Sequence, residues 1–223
     1  MKFFEENGYE ITNCLISIEQ VDDLLSLLSK QNLPALKAGM RRINKIVPEV
    51  EKLANSQAIL SIAQQYLTGV PRLVRAIYFD KSFENNWYVT WHQDKTVAVS
   101  KQFDLPDWHT WSIKSGVWHV QPPLKVLQQM VTVRIHLDAA NKNNGCLKII
   151  TKSHLLGILS TESIEQFIYQ SESIYCEVKK GGAVIMRPHI LHASEKSVNN
   201  LQRRVLHFEY SCFQLPEGIE WGE

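Results

Sequence analysis

VTVRIHLDAANKNNGCLKII, residues 131–150, sets two apolar runs on either side of an Asn-Gly pair. In the first run Val131, Val133, Ile135 and Leu137 occupy alternate positions, with Thr132, Arg134, His136 and Asp138 between and after them. A period of two is the mark of a strand with one buried face. The apolar face needs a core behind it, and the polar face could line a site. Residues 146–150 read as a second strand, with Asn and Gly as the punctuation between the two.

Working outward, the same β-branched and aromatic texture fills most of the chain beyond Pro71. It predicts strands at Arg72 to Phe79, Trp87 to His92, Ala183 to Met186, Ile190 to Ala193 and Arg203 to Tyr210. Before Pro71 the texture is helical. Ser17 and Gln20 have capping-box spacing, and Val21, Leu24, Leu25 and Leu28 recur at helical period behind them. A second helix is predicted from Val50 to Leu67 and a later one from Thr161 to Tyr169; Tyr9 to Leu15 reads as a short strand. Helices first and strands second argue for an α+β fold in one domain of 223 residues: a mainly helical flank over 1–70 and an antiparallel β core over 71–223. The stretch from Lys95 to Met130 is long for a loop and holds Trp108, Trp111, Trp118, His109, His119 and Lys114. It is a candidate lid over a substrate, unless its tryptophans only patch the core.

Composition excludes several classes. The net charge of +1 gives no global case for nucleic acid or an anionic membrane, and the basic clusters at Lys37 to Lys45, Lys179 with Lys180, and Arg203 with Arg204 lack interleaved stacking aromatics. No apolar run approaches membrane-spanning length, and the four cysteines have neither zinc nor C-x-x-C spacing. A cytoplasmic protein with reduced thiols, binding neither nucleic acid nor membrane, is the expectation. The residues specify no oligomeric state.

The chemistry concentrates at Trp91, His92, Gln93, Asp94. On a strand His92 and Asp94 share a face and could grip one cation; with a remote histidine they would form the two-histidine, one-carboxylate set that leaves open positions on non-haem iron. The tripeptide is weak alone, since His136 with Asp138 and His207 with Glu209 repeat the spacing. Arg134 beside His136 opposes a cation there. Among later histidines, His189 and His192 fall on opposite faces of a strand, so only one can look inward. Ser194 follows His192 on the same side and Arg203 opens the next strand, where a guanidinium and a hydroxyl could hold the far carboxylate of a dicarboxylate.

With these residues in view, the chain resembles the phytanoyl-CoA dioxygenase family of iron(II)- and 2-oxoglutarate-dependent oxygenases. The resemblance rests on WHQD at 91–94, RIHLDAANKNNGCLKIITKSH at 134–154, LHAS at 191–194 and RRVLHFEY at 203–210, with FFEENGYEI near the start. Where the family usually has Pro-Gly before the Ser-His of the second segment, this chain has Thr151 and Lys152.

The resemblance implies a double-stranded β-helix, the jelly-roll or cupin-like core, with flanking helices. It implies that His92, Asp94 and His192 ligate Fe(II) and that Arg203 with Ser194 holds the 5-carboxylate of 2-oxoglutarate. Arg204 would take that role only if the register slipped by one, because strand parity turns one of the pair outward. The implied cosubstrates are 2-oxoglutarate and O2, and the implied reaction is hydroxylation of a small molecule with release of succinate and CO2. A carboxylate at Asp94, where related halogenases carry a small residue, favours hydroxylation over halogenation. Trp87, Trp111, Lys114 and Arg134 are the candidate substrate contacts. Desaturation, ring closure or epimerisation at the same iron, a jelly-roll binding protein without turnover, and a zinc hydrolase are the competing readings.

Overall fold

The computed structural model describes residues 2–31, 33, 39–82, 85–199 and 201–223; Lys37, in the first basic cluster, lies outside them. The chain opens with helix α1 (Lys2–Asn7), strand β1 (Tyr9–Thr12) and helix α2 (Ile18–Lys30). Ser17 caps α2 with both reciprocal capping-box bonds formed, as the spacing predicts. Then come β2 (Met40–Arg41), α3 (Ile43–Ile46), α4 (Pro48–Ala54) and α5 (Gln57–Gln64). The β-rich part comprises β3 (Arg72–Lys81), β4 (Val89–His92), β5 (Val97–Val99), β6 (His109–Lys114), β7 (Val117–Gln121), α6 (Leu124–Leu127), β8 (Met130–His136) and β9 (Leu147–Ile149). Helix α7 (Thr161–Tyr169), β10 (Ile174–Tyr175), β11 (Ala183–Met186), β12 (His192–Ser194) and β13 (Arg203–Ser211) complete it.

Three antiparallel sheets result. A six-stranded sheet runs β1-β11-β8-β13-β3-β2, a four-stranded sheet β10-β9-β12-β4, and a small one β5-β7-β6. Alternation along the three central strands of the large sheet separates two environments. Val131, Val133, Ile135, Ala76, Tyr78, Leu206, Phe208 and Tyr210 bury with Val21, Leu24, Leu28 and Ile59 of the helices. The opposite face turns Arg75, Ile77, Phe79, Arg134, Arg203, His207 and Glu209 into a cavity of about 480 Å³, whose other walls include Val89, His92, Leu147, His192 and Ser194 of the four-stranded sheet. This is the double-stranded β-helix architecture with helices packed on one side.

Three expectations are corrected. The single helix from Val50 to Leu67 is two helices: Asn55 ends α4 and folds its side chain back on the Glu51 carbonyl, while the Tyr210 hydroxyl donates to Ala54 O at 2.7 Å. The strand expected from Ile190 starts at His192, because Ile190 N–H closes a turn on Arg187 O and Leu191 N–H goes to Ser153 Oγ. The long stretch from Lys95 to Met130 is no loop but the three-stranded sheet, whose β6-β7 hairpin turns at Ser115 and Gly116, both at positive φ. The strands β1 and β2 also carry the helical flank into the large sheet, pairing with β11 and β3.

Gly145 ends the turn between β8 and β9 at φ 67°, and a Cβ there would collide with the Glu195 carbonyl oxygen. Gly145→Ala is expected to lower unfolding free energy by about 2 kcal/mol or more in urea, since both strain and clash must be absorbed by backbone. Stability equal to wild type would show that this turn can rearrange.

Candidate metal centre

Register builds the site. β12 pairs antiparallel with β4 so that His192 stands opposite His92, and their rings lie 4.2 Å apart between centroids. Each ring is fixed by the main-chain carbonyl two residues before it: His92 Nδ1 lies 2.8 Å from Thr90 O and His192 Nδ1 2.9 Å from Ile190 O. A carbonyl only accepts, so Nδ1 carries the hydrogen in both rings and both Nε2 lone pairs are free. Asp94 lies just past β4, where its N–H donates to Pro188 O at 2.9 Å. Its carboxylate oxygens sit 3.8 Å from His92 Nε2 and 3.5 Å from His192 Nε2. The three ligand atoms all lie within 4.8 Å of one another.

Between the two strand-end ligands, Gln93 points away and is buried. Its Nε2 donates to Gly157 O and His189 O, each at 2.7 Å, and its Oε1 accepts from Leu159 N–H at 2.8 Å. Three backbone segments, at 93, 157–159 and 189, are thereby stapled together beneath the ligands. Burial, reinforced by His192, lowers the His92 pKa to about 4, so the imidazole is neutral at pH 7. Burial pushes the Asp94 carboxyl up, but His192 and His92 outweigh it and hold it well below the usual carboxylate range. Two imidazoles and a carboxylate converging on one point fit a divalent transition metal on one face of an octahedron.

A second cluster, His207 and Glu209 with Asp94, also lies within ligand spacing. Two arginines already fill its valences. Arg134 Nη1 donates to His207 Nδ1 at 2.6 Å, His207 Nε2 faces Glu209 Oε1 at 3.1 Å, and Arg75 Nη1 donates to the same oxygen at 2.9 Å. A cation there would face two guanidiniums, so this set is a buried hydrogen-bonded chain rather than a metal site.

Cations line the deep end of the cavity. Arg203 is buried, and among the described residues its Nε and Nη1 have no partner; its Nη2 reaches Ser194 Oγ only at 3.4 Å. Arg134 Nε is likewise unpartnered. Lys81 stands opposite Arg203 in the β3-β13 register and donates from Nζ to Ser194 Oγ at 2.9 Å and Glu195 O at 2.7 Å. Burial, with Arg203 and Arg134 nearby, lowers the Lys81 pKa to about 7. Unsatisfied buried donors of one sign are costly, and a carboxylate arriving here would satisfy them. Arg204 takes the outward direction: it grips Asp138 through Nε at 2.7 Å and Nη2 at 2.8 Å.

Of the candidate substrate contacts, Trp87, Lys114 and Arg134 line the cavity. Trp111 does not: its ring meets Phe103 and Trp118 edge-on at 5.1 and 6.1 Å, in the cluster that also buries Trp108. Core patching, the second reading of these tryptophans, is what that cluster does. Sequence reasoning missed Gln93, Lys81, Arg75 and Arg41. It also missed Glu223, whose buried carboxylate lies 3.2 Å from His119 and 3.3 Å from Arg41. The alternation Arg75, Ile77, Phe79, Lys81 was a usable signal for two of them, since one strand face carries both cations.

The chain matches the phytanoyl-CoA dioxygenase (PhyH) family over residues 4–205 and belongs to it, a family of Fe(II)- and 2-oxoglutarate-dependent oxygenases. No curated protein sequence matches the chain. Among solved structures it is similar to HygX from Streptomyces hygroscopicus with nickel and 2-oxoglutarate bound, at 14% identity and TM-score 0.68, covering 94% of this chain and 85% of that one. It is also similar to two α-ketoglutarate-dependent proteins of nogalamycin biosynthesis. These are the carbocyclase SnoK (15% identity, TM-score 0.71, 94% and 81% covered) and the epimerase SnoN (14%, 0.71, 93% and 80%). At these identities the likeness speaks for the fold alone.

Gln93→Leu keeps all three ligands but strands two carbonyls and one N–H in the interior. It is expected to cost about 2 kcal/mol or more in stability and about tenfold in metal affinity, read by denaturation and by competition with a chromophoric chelator. Unchanged affinity would mean that the staple does not position the ligands.

Proposed function

We propose that the protein is an Fe(II)- and 2-oxoglutarate-dependent oxygenase, of one domain over residues 1–223, that hydroxylates a small molecule and releases succinate and CO2. The observation that carries this reading is the pairing of two features in one cavity: the His92, Asp94, His192 set with both Nδ1 atoms anchored, and Arg203 with two unpartnered donors. A zinc hydrolase would use the first and has no need of the second.

On this reading His92, Asp94 and His192 hold the iron, and Asp94 offsets half its charge. Arg203, with the Ser194 hydroxyl and the Lys81 ammonium behind it, holds the far carboxylate of 2-oxoglutarate. Bound there, iron and cosubstrate supply the oxidative decarboxylation that uses O2 and inserts one oxygen into a substrate C–H bond. Phe79, Trp87, Ile77 and Val89 give the cavity apolar walls that exclude water and place that bond. The carboxylate at Asp94 favours hydroxylation over halogenation. The likeness to a carbocyclase and an epimerase keeps ring closure and epimerisation as the second reading, separated from the first by product analysis.

Free cysteines support a reducing, cytoplasmic setting, with Cys146 and Cys176 buried as thiols. Among the described residues no helix is long and apolar enough to cross a membrane.

Anaerobic addition of Fe(II) and then 2-oxoglutarate to the apo-protein is expected to raise the visible charge-transfer band of an iron-chelated keto acid. His192→Ala should abolish the band; iron bound without a band in wild type would move the assignment to a hydrolase or binding protein. Arg203→Ala is expected to raise the 2-oxoglutarate concentration that half-saturates the band by about ten- to a hundredfold, the loss of one charge-assisted contact. Arg204→Ala should leave it unchanged, and the reverse pattern would show that the register assigned to β13 is wrong.

A further inference from the structure

The charges around the cavity do not balance once metal and cosubstrate are counted. Among the described residues six cationic side chains line it, Arg41, Arg75, Lys95, Lys114, Arg134 and Arg203, against two carboxylates, Asp94 and Glu209. Glu223, just behind Arg41 and Arg75, makes a third carboxylate. The two positive charges of Fe(II) and the two negative charges of 2-oxoglutarate cancel, so the loaded site retains three positive charges before the Lys81 ammonium behind Ser194 is counted.

Those charges are unevenly placed. At the deep end Arg75 is held by Glu209 and Arg134 donates to His207, while Arg203 is the group assigned above to the cosubstrate. At the open end Arg41 shares Glu223 with His119, and Lys95 donates to Leu159 O at 3.3 Å. Lys114, at the end of β6, has no hydrogen bond or ion pair among the described residues, although its side chain lines the cavity. Burial lowers its pKa, and the Arg41 and Arg75 guanidiniums lower it further. Lys114 is exposed, and Asp94 and Glu223 act against that shift without bonding to it, so its ammonium is open to a bound anion in a cavity of net positive charge.

We infer that the substrate is a small organic anion with an apolar body, whose carboxylate or phosphate docks on Lys114 and Arg41 at the open end of the cavity. Its body lies against Trp87, Phe79, Ile77 and Val89, between that end and the metal ligands. This inference rests on the proposed oxygenase site and adds the charge class of the substrate.

The test uses the anaerobic Fe(II)·2-oxoglutarate complex of wild type, Lys114→Met and Arg41→Gln, with the charge-transfer band confirming loading before any probe is added. Benzoate, phenyl phosphate, neutral benzamide and cationic benzylamine are then titrated by calorimetry. Both anions are expected to bind about tenfold or more tightly than benzamide, with benzylamine weakest, and the band should persist throughout. The tighter of the two anions identifies the anionic group the site prefers. In each variant the anions should lose about tenfold while benzamide is unchanged; if Lys114→Met fails to load, Arg41→Gln carries the comparison.

Equal binding of benzamide and the anions would overturn the inference, as would anion binding that neither variant weakens. Loss of the band on adding an anion would assign the anion to the Arg203 end and overturn it as well. No band in wild type would instead bring down the oxygenase reading, and this inference with it.

Discussion

A short antiparallel pairing, β12 against β4, is the contact on which the centre of this molecule depends. It sets His192 opposite His92 and, through the turn that follows β4, brings Asp94 to the same point. Neither strand could do this alone, because each contributes only three or four residues of ladder. Its rigidity comes from what lies around it: β9 on the far edge of β12, the Gln93 staple beneath, and two imidazole N–H groups tied to main-chain carbonyls two residues back. Ligand geometry is thus a property of main-chain hydrogen bonds, which are less easily disturbed than side-chain packing.

The two larger sheets divide the work. The four-stranded sheet presents the possible metal ligands, and the six-stranded sheet presents guanidinium and ammonium groups from β3, β8 and β13. Alternation makes the second arrangement possible: the residues between Arg75, Arg134 and Arg203 and their neighbours bury against the helices, so the cations cannot escape to solvent without unpacking that core. The helical flank therefore serves the site indirectly. It seals the apolar face of the sheet and leaves the opposite face to line the cavity.

Much of this was legible in the residues themselves. The alternation in 131–137 gave the correct faces of β8, and parity required that Arg203 and Arg204 point opposite ways, with the resemblance choosing Arg203 as the inward one. The capping box of α2 and the bounds of α7 also appear as read. What stayed hidden has physical causes. The hairpin β6-β7 escaped notice because tryptophans and histidines interrupt its alternation, although Ser115-Gly116 marked its turn. The break after Ala54 escaped because apolar spacing continues at helical period across Asn55 and Ser56; the end of α4 is held by the Asn55 side chain on Glu51 O together with a tertiary bond from Tyr210. Lys81 and Glu223 escaped because charged residues are expected at the surface, and only tertiary neighbours reveal that both are buried.

His92 and His192 stand a hundred positions apart in the sequence, yet face each other across one ladder. That separation bears on how the molecule comes into being. Pairing β4 with β12 closes a very long loop, whose entropy must be met before the contact returns anything, so such pairings form late. A chain still emerging from the ribosome holds His92 and Asp94 together long before it holds His192. The third ligand atom therefore arrives only after the intervening strands and the α7 segment have been made, and the complete three-atom set marks a chain whose folding is nearly over.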